Sequence, residues 1–557
     1  MIKDDVLKAL RDAGVTCSER DLEIPKKEEF GDLAFACFQL AREKRVDPHN
    51  LALDISRKIQ VSKYPSILKI EVRGGYVNFF LYWEKIAESL LKGLYEKKKI
   101  KTDKVMVEFS QPNPVHPMHI GHARSTFLGD CVSNLLSYAG CRVIRANYMN
   151  DLGLQVAKLI TAYTLWGKGK RPTGKPDLWL WKYYVKFHEN ASADPSLEEK
   201  ARDVLRKIEL GKDKRTIMLW KKLVSWCVKG FKETYKNLGI NFDVWFYESD
   251  FREKGKHLVD KALVSGIAVK TPENTVVTNL KDYGLPDTVL LRSDGTGLYI
   301  TSDLGLTVHK FENYNLDSAI WVVMSHQNLY FKQLFKVLEL LGYKWYSKCI
   351  HLSYEPVTLA EGKMSSREGR AVMLDEVLKE LTKLAYEEVN KRNPKERRSR
   401  KMRIARDVAI GALKYAILRV EPEDVIVFDW KQMLSLEGNT GPYIQYTVTR
   451  CSSILRKAGK WKKVFRVQKL DEVEKMLVKA LSAFDNVIQN AINEMRVYSI
   501  CNYVYELAKT FNLFYERCPV LRSEGENRNF RLTLVDATMN VLKTCLKIIG
   551  VKPLKKM

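Results

Sequence analysis

The sequence predicts a multidomain α/β protein: a parallel-sheet domain with a helical insertion, set between an N-terminal α+β domain and a C-terminal all-α helical bundle. Three observations predict it. A length of 557 residues exceeds what one hydrophobic core serves. A strand–loop–helix–strand unit begins near Val105, the opening half of a Rossmann-like sheet. From about residue 376 to the end the apolar spacing is almost wholly helical.

Residues 1–100 form the first predicted domain. They open on the amphipathic MIKDDVLKALRDAG, whose Asp4 and Asp5 argue against a signal or transit leader, and close on the apolar run Tyr76-Val77-Asn78-Phe79-Phe80-Leu81. The second domain spans 101–375. Val105–Ser110 alternates like a strand, and Phe127, Leu128, Cys131, Leu135 and Leu136 share one helical face that Gly140 ends. Cys141–Tyr148 reads as the next strand. Residues of about 166–285 are helical, basic and rich in Trp, and read as an insertion, with sheet-like text resuming only at Thr288–Leu291. Ser293–Gly297 is a turn, Asp303 or Ser302 suits a helix N-cap, Ala319–Met324 is a buried strand and Leu329–Leu341 a helix. The third domain, 376–557, is the helical bundle.

The charge balance, 93 basic against 67 acidic residues for a net of +26, favours a polyanionic partner. Its densest stretch, Lys391–Arg406, reads as a solvated helix face. No apolar run nears the roughly 18 residues that cross a bilayer, so no membrane partner is expected. The ten cysteines include no C-x-x-C pair, which predicts neither a zinc cluster nor a disulfide framework and points to a reducing, cytoplasmic setting.

His119-Ile120-Gly121-His122 falls where the first strand hands over to its helix. A helix start presents unpaired N–H groups and partial positive charge, Gly121 permits close approach, and two imidazoles donate to phosphate oxygens as charge develops. His116, His119 and His122 recur every third residue, but Pro117 and Gly121 interrupt the stretch, so no metal cluster is predicted. A second Gly-flanked loop, Glu361–Arg370, carries Lys363, Met364, Ser365, Arg367 and Arg370, cations suited to a triphosphate. Gly169–Lys175 imitates a phosphate-binding loop, yet Pro176 replaces the required Ser/Thr, and the segment reads as an exposed linker.

Taken together, the two nucleotide elements resemble the HIGH and KMSKS signatures of class I aminoacyl-tRNA synthetases. Glu108-Phe109-Ser110-x-Pro112-Asn113, Leu298–Asp303, Glu437–Tyr446 and Asp536-Ala537-Thr538 narrow the likeness to the arginyl-tRNA synthetase family, over essentially the whole chain. The resemblance implies ATP with Mg2+, L-arginine and tRNA(Arg) as ligands, arginyl-adenylate as the intermediate, and a monomer. It assigns His119, Gly121, His122, Lys363, Met364 and Ser365 to ATP, with His119, His122, Lys363 and Arg367 catalytic. Glu108, Tyr299 and Asp303 would hold the guanidinium, and Asn113 and Gln327 the amino and carboxylate ends. A planar cation with five donors wants such carboxylates, and Asp303 independently stands at the mouth of a sheet crevice. Glu108 on an apolar strand is costly unless it meets a cation. Asn78 and Phe79 match positions that meet the tRNA elbow, and Tyr443, Tyr446, Tyr515 and Met557 match anticodon-loop positions; the aromatic residues among them read equally as core.

The family pattern usually has a lysine at the second Lys of KMSKS or three positions before HIGH, where this chain has Ser366 and His116. The phosphate-neutralising role then falls to Lys363, Arg367 or Arg370. A synthetase for cysteine would need zinc thiolates, a small nucleotidyltransferase leaves the helical C-terminus idle, and an RNA-binding scaffold leaves the acids and histidines at the crevices unexplained.

Overall fold

The computed structural model describes residues 2–94, 101–211, 213–359, 372–428 and 434–554. The chain forms two compact units, one of Met1–Lys97, Arg450–Phe484 and Glu506–Val541, the other of Lys98–Thr449, Asp485–Tyr505 and Leu542–Met557.

In the first unit, strands β1 (Leu22–Glu23), β2 (Leu33–Ala36), β3 (Ile67–Arg73) and β4 (Tyr76–Leu81) make an antiparallel sheet of order β1-β2-β4-β3. The apolar run expected to close the domain is β4, one of its two inner strands. Phe79 is fully buried there and Asn78 is 3% exposed. Asn78 and Phe79, matched to tRNA-elbow positions, thus lie packed in the sheet, with alternation sending their side chains to opposite, covered faces; for Phe79 that is the core reading the sequence equally allowed. Lys479 ties the helix Glu472–Ser482 to this sheet through Asp32 at 2.8 Å.

The second unit is built on a five-stranded parallel sheet of order β12-β11-β5-β6-β7, from β5 (Lys104–Glu108), β6 (Arg142–Met149), β7 (Val244–Tyr247), β11 (Ser318–Met324) and β12 (Cys349–Tyr354). The strand order reverses between β5 and β11, and crevices at such a switch point take ligands. One expectation is overturned here. Sheet text does not wait until Thr288, because β7 lies inside the predicted insertion. The residues read as the resuming strand, β10 (Val289–Leu291), instead pair with β9 (Val276–Thr278), which also pairs with β8 (Ala268–Lys270). A four-residue edge strand among long helices gives too short a period to stand out.

The helix Ile120–Ala139 follows β5 and stops at Gly140, whose φ of 105° is the left-handed exit that favours glycine. Arg124, in its first turns, bonds the carbonyl oxygens of Glu355, Glu421 and Asp424 at 2.6–2.7 Å and so staples the helix to the segments around β13 (Val357–Leu359) and β14 (Ile426–Phe428). Beyond Leu374 the elements among the described residues are helices apart from β14: Leu374–Arg392, Arg398–Leu418, Gly441–Ala458, Glu472–Ser482, Phe484–Glu494, Tyr498–Arg517 and Gly525–Ile548. No helix among the described residues is long and apolar enough to cross a membrane.

Candidate active site

The acidic half of the site grows from two helices packed at glycine. A Cβ on Gly255 would lie 1.9 Å from the Thr301 carbonyl oxygen, and one on Gly305 would lie 2.6 Å from that of Phe251. Only bare backbone lets the helices Glu248–Val264 and Tyr299–Tyr314 approach so closely, which brings Glu248 and Asp303 into one charge field. Asp303 is not the helix cap that local sequence suggested. The cap is Leu298, whose N–H donates to Thr301 Oγ1 at 2.9 Å, so Asp303 sits in the second turn.

Burial pushes the Asp303 carboxyl up to about 6, with the Tyr330 hydroxyl bond opposing and the nearby Glu108 charge adding to the rise. Tyr148 faces the same carboxylate without reaching hydrogen-bond geometry, and Asp303 Oδ1 is buried without a hydrogen-bond partner among the described residues. Burial likewise pushes Glu248 up to about 8; Asn150, at 3.3 Å, opposes the rise and the charges of Asp303 and Asp151 add to it. Four acids thus influence one another here.

Glu108, the last residue of β5, has its cation already. Lys310 Nζ lies 2.5 Å from Oε2, fully buried and 4.3 Å above the Trp321 ring, while Gln111 donates to Oε1 at 2.9 Å. The expectation that Glu108 needs a cation holds, but the chain itself supplies one, from 202 residues away. Beyond β5 the backbone turns through two left-handed residues, Ser110 (φ 79°) and Gln111 (φ 44°). Such conformations cost energy in non-glycine residues and persist where neighbours enforce them. Ser110 is held by Thr126 and Tyr235 hydroxyls, both at 2.7 Å, and its N–H donates to Ser125 Oγ at 2.9 Å. The turn leaves Asn113 exposed; Gln327 is half-buried just beyond β11, and Tyr299 is 56% exposed at the head of its helix.

The histidine half forms at the other helix start. His119 is the extended N-cap of Ile120–Ala139, and its Nδ1 accepts the Gly121 N–H at 3.1 Å, while His122 Nδ1 accepts the His119 N–H at 3.2 Å. Two histidines thereby play the parts usually taken by Ser and Glu in a capping box. Because each Nδ1 accepts, each neutral ring carries its proton on Nε2. Burial holds His119 down to about 3, helped by His116, and holds His122 well below its ordinary value. Both are uncharged donors at neutral pH.

His116 stacks near them, with ring centroids 5.7 and 5.6 Å from those of His119 and His122, and ligand atoms of all three fall within 4.8 Å of one another. The interruption by Pro117 and Gly121 therefore does not keep the rings apart. His116 reaches them from the loop, where sequence spacing on a helix is no guide. A metal would still find only one free lone pair, since His116 Nδ1 contacts the Pro117 carbonyl and leaves Nε2 open, whereas the other two Nε2 atoms are protonated.

The segment after residue 371 returns to these histidines. Ile120 N–H donates to Val372 O at 3.0 Å, Leu374 N–H to Met118 O at 2.9 Å, and Met373 bridges His119. Lys363, Met364, Ser365, Arg367 and Arg370 lie outside the described residues, as does Met557. Tyr443 and Tyr446 are half-buried, and Tyr515 is 43% exposed under the Arg450 guanidinium, 4.9 Å from its centroid. Sequence reading missed Lys310, Glu248, Asp151, Tyr148 and Tyr330. The polar Asn150-Asp151 directly after β6 was the one local sign, since strand ends at a sheet crevice carry ligands.

Comparison with known proteins follows the same lines. Residues 1–81 match the family described as arginyl tRNA synthetase N terminal domain, 85–430 the class I (R) tRNA synthetase catalytic domain, and 444–557 the DALR anticodon binding domain. The chain is 36% identical over 555 residues to the arginine–tRNA ligase of Clostridium acetobutylicum, covering 98% of this chain and 97% of that one. It is 36% identical over 563 residues to that of Halothermothrix orenii, covering 100% and 98%. Among solved structures, the Thermus thermophilus arginyl-tRNA synthetase superposes with a TM-score of 0.83 at 28% identity, covering 100% of this chain and 99% of that one.

Proposed function

The chain belongs to the arginyl-tRNA synthetase family of class I, and from that premise we propose how its residues divide the work of an arginine–tRNA ligase. The enzyme activates arginine with ATP and charges tRNA. In the first step a carboxylate oxygen of arginine attacks the α-phosphorus and pyrophosphate leaves. In the second, the terminal ribose hydroxyl of tRNA(Arg) attacks the adenylate's carbonyl carbon and AMP leaves.

Little acid–base chemistry is needed, so placement and charge stabilisation carry the rate. Asp303 and Tyr299 receive the guanidinium, with Glu108, already paired to Lys310, adding negative charge at the strand end; Asn113 and Gln327 hold the amino and carboxylate ends. The observation that carries this reading is the buried, unpartnered Oδ1 of Asp303, an acceptor lodged among acids where a cation restores balance. His119 and His122, as neutral Nε2–H donors beside the helix start at Gly121, bind phosphate oxygens without repelling the cations that accompany ATP. Lys363, Met364, Ser365 and Arg367 complete the triphosphate site by family likeness. Imidazole donors do not suit Mg2+, which prefers oxygen, so that ion belongs to the nucleotide and no step is assigned to it.

Tyr443, Tyr446, Tyr515 and Met557 are proposed for the anticodon loop. The division into an elbow-recognition domain at 1–100, a catalytic domain at 101–375 and an anticodon-binding domain at 376–557 goes with it, as do a monomeric state and a cytoplasmic home. Pyrophosphate exchange with each amino acid, with and without tRNA, tests the reading. Arginine alone should support exchange, and equal exchange with lysine or with a neutral amino acid would remove it.

A further inference from the structure

The segment that imitates a phosphate-binding loop is exposed at Gly169, Lys170, Arg171, Thr173 and Gly174, but Lys175 is not. Its Nζ lies 2.6 Å from Asp177 Oδ2 and 2.8 Å from Asp375 Oδ2, with the lysine side chain 14%, Asp177 0% and Asp375 20% exposed. Asp177 and Asp375 are each the second residue of a helix, Pro176–Ala191 and Leu374–Arg392, where the helix dipole favours a carboxylate. One lysine thus joins two helix starts that are 198 residues apart in sequence, counting from 177 to 375. A third helix, Lys214–Leu238, completes the seat. Thr234 Oγ1 donates to Asp375 at 3.3 Å, and Gly230 leaves the space Asp177 fills, since a Cβ there would lie 2.1 Å from Asp177 Oδ1.

Asp375 directly follows the residues that pair with the histidine signature. Leu374 N–H bonds Met118 O and Val372 O accepts from Ile120, one residue on either side of His119. We propose that Lys175 is a positioning residue for ATP activation: by clamping Asp375 against Asp177 it fixes Val372–Leu374, and through them the placement of His119. The proposal rests on the reading of His119 as a phosphate donor. Without the lysine, the part-buried Asp375 loses the cation that ties it to the buried Asp177, and the Leu374 helix start is free to shift; displacements near 1 Å are costly to near-attack geometry.

The test is pyrophosphate exchange with tRNA present, on K175M, K175R, the double variant K175M/D177N and H119A, with thermal melts of each. The double variant removes the uncompensated buried acid, so it keeps the fold while the link to Asp375 stays broken. The expected result is an ATP KM raised about tenfold in K175M/D177N, an arginine KM within about twofold of the parent, a parental melting temperature, and recovery in K175R. A parental ATP KM in the double variant overturns the clamp. So do ATP and arginine KM values rising together with a fall in melting temperature, which would mark a merely structural ion pair. H119A separates the two ideas. If it impairs ATP use and the double variant does not, the clamp alone fails; if H119A is neutral, the histidine reading fails and takes the clamp with it.

Discussion

The acid crevice and the imidazole seam both lie past the carboxyl ends of strands in one parallel sheet, and burial acts on them with opposite sign and the same result. In the crevice, Asp303 and Glu248 are pushed up to about 6 and 8; at the seam, His119 is held down to about 3. Desolvation penalises charge of either sign, so both sets are driven toward neutrality. They differ in what compensates them. Glu108 is matched by an internal lysine, Asp303 only in part, by the Tyr330 hydroxyl on Oδ2 and the more distant Lys310 charge, and the two histidines by backbone N–H groups that fix their tautomers. The crevice is thus unfinished without a cation, whereas the seam is complete as a neutral donor pair. Selectivity for the amino acid should then depend steeply on single acids, and nucleotide use more gently on single imidazoles.

That contrast is tested most severely by Asp303→Ala. It should leave the guanidinium underpaired, costing roughly 3–5 kcal/mol of transition-state binding. Arginine kcat/KM would fall at least about a hundredfold, and a variant with near-parental kcat/KM would remove Asp303 from the site. His119→Ala removes one uncharged donor and should lower kcat for exchange by about ten- to a hundredfold while leaving arginine KM unchanged. A loss confined to arginine KM would erase the distinction between the two halves.

The smallest effect concerns stability. Glu248 titrates near 4.5 when unfolded and near 8 when folded, so its contribution is full below about 4.5 and is lost as pH rises through about 8. Glu248→Gln should therefore melt roughly 2–4 °C above the parent at pH 8.5. At pH 5 the two should differ less. Parallel melting curves at both values would show that burial does not set this carboxyl.

Local chemistry made much of this readable in advance. The helix after β5 was legible from its apolar face and from Gly140, and the histidine signature from its place at a strand–helix junction. Asp303 was read as an acid near a crevice, and the alternative of a helix N-cap at Ser302 or Asp303 gives way because Thr301 and Leu298 settle the helix start between themselves. Phe79, read equally as core or contact, is core, because a strand of mixed text does not disclose how many of its faces are covered. Lys310 gave no sign, and Lys175 only the false one of a phosphate-binding loop. Each is an ordinary lysine among 93 basic residues until its carboxylate arrives from far along the chain.

The sequence by itself determined most helices and the strands that frame the histidine signature, the family, and the residue types gathered at the sheet ends, because caps, periodicity and turn residues act over a few positions. Tertiary structure alone decided which charges are compensated. An ion pair between residues 108 and 310, or a tautomer fixed by a backbone N–H, exists only once the chain has closed on itself and water has been excluded. Desolvation, which sets the strength of both, depends on the whole surround and not on any neighbour in sequence.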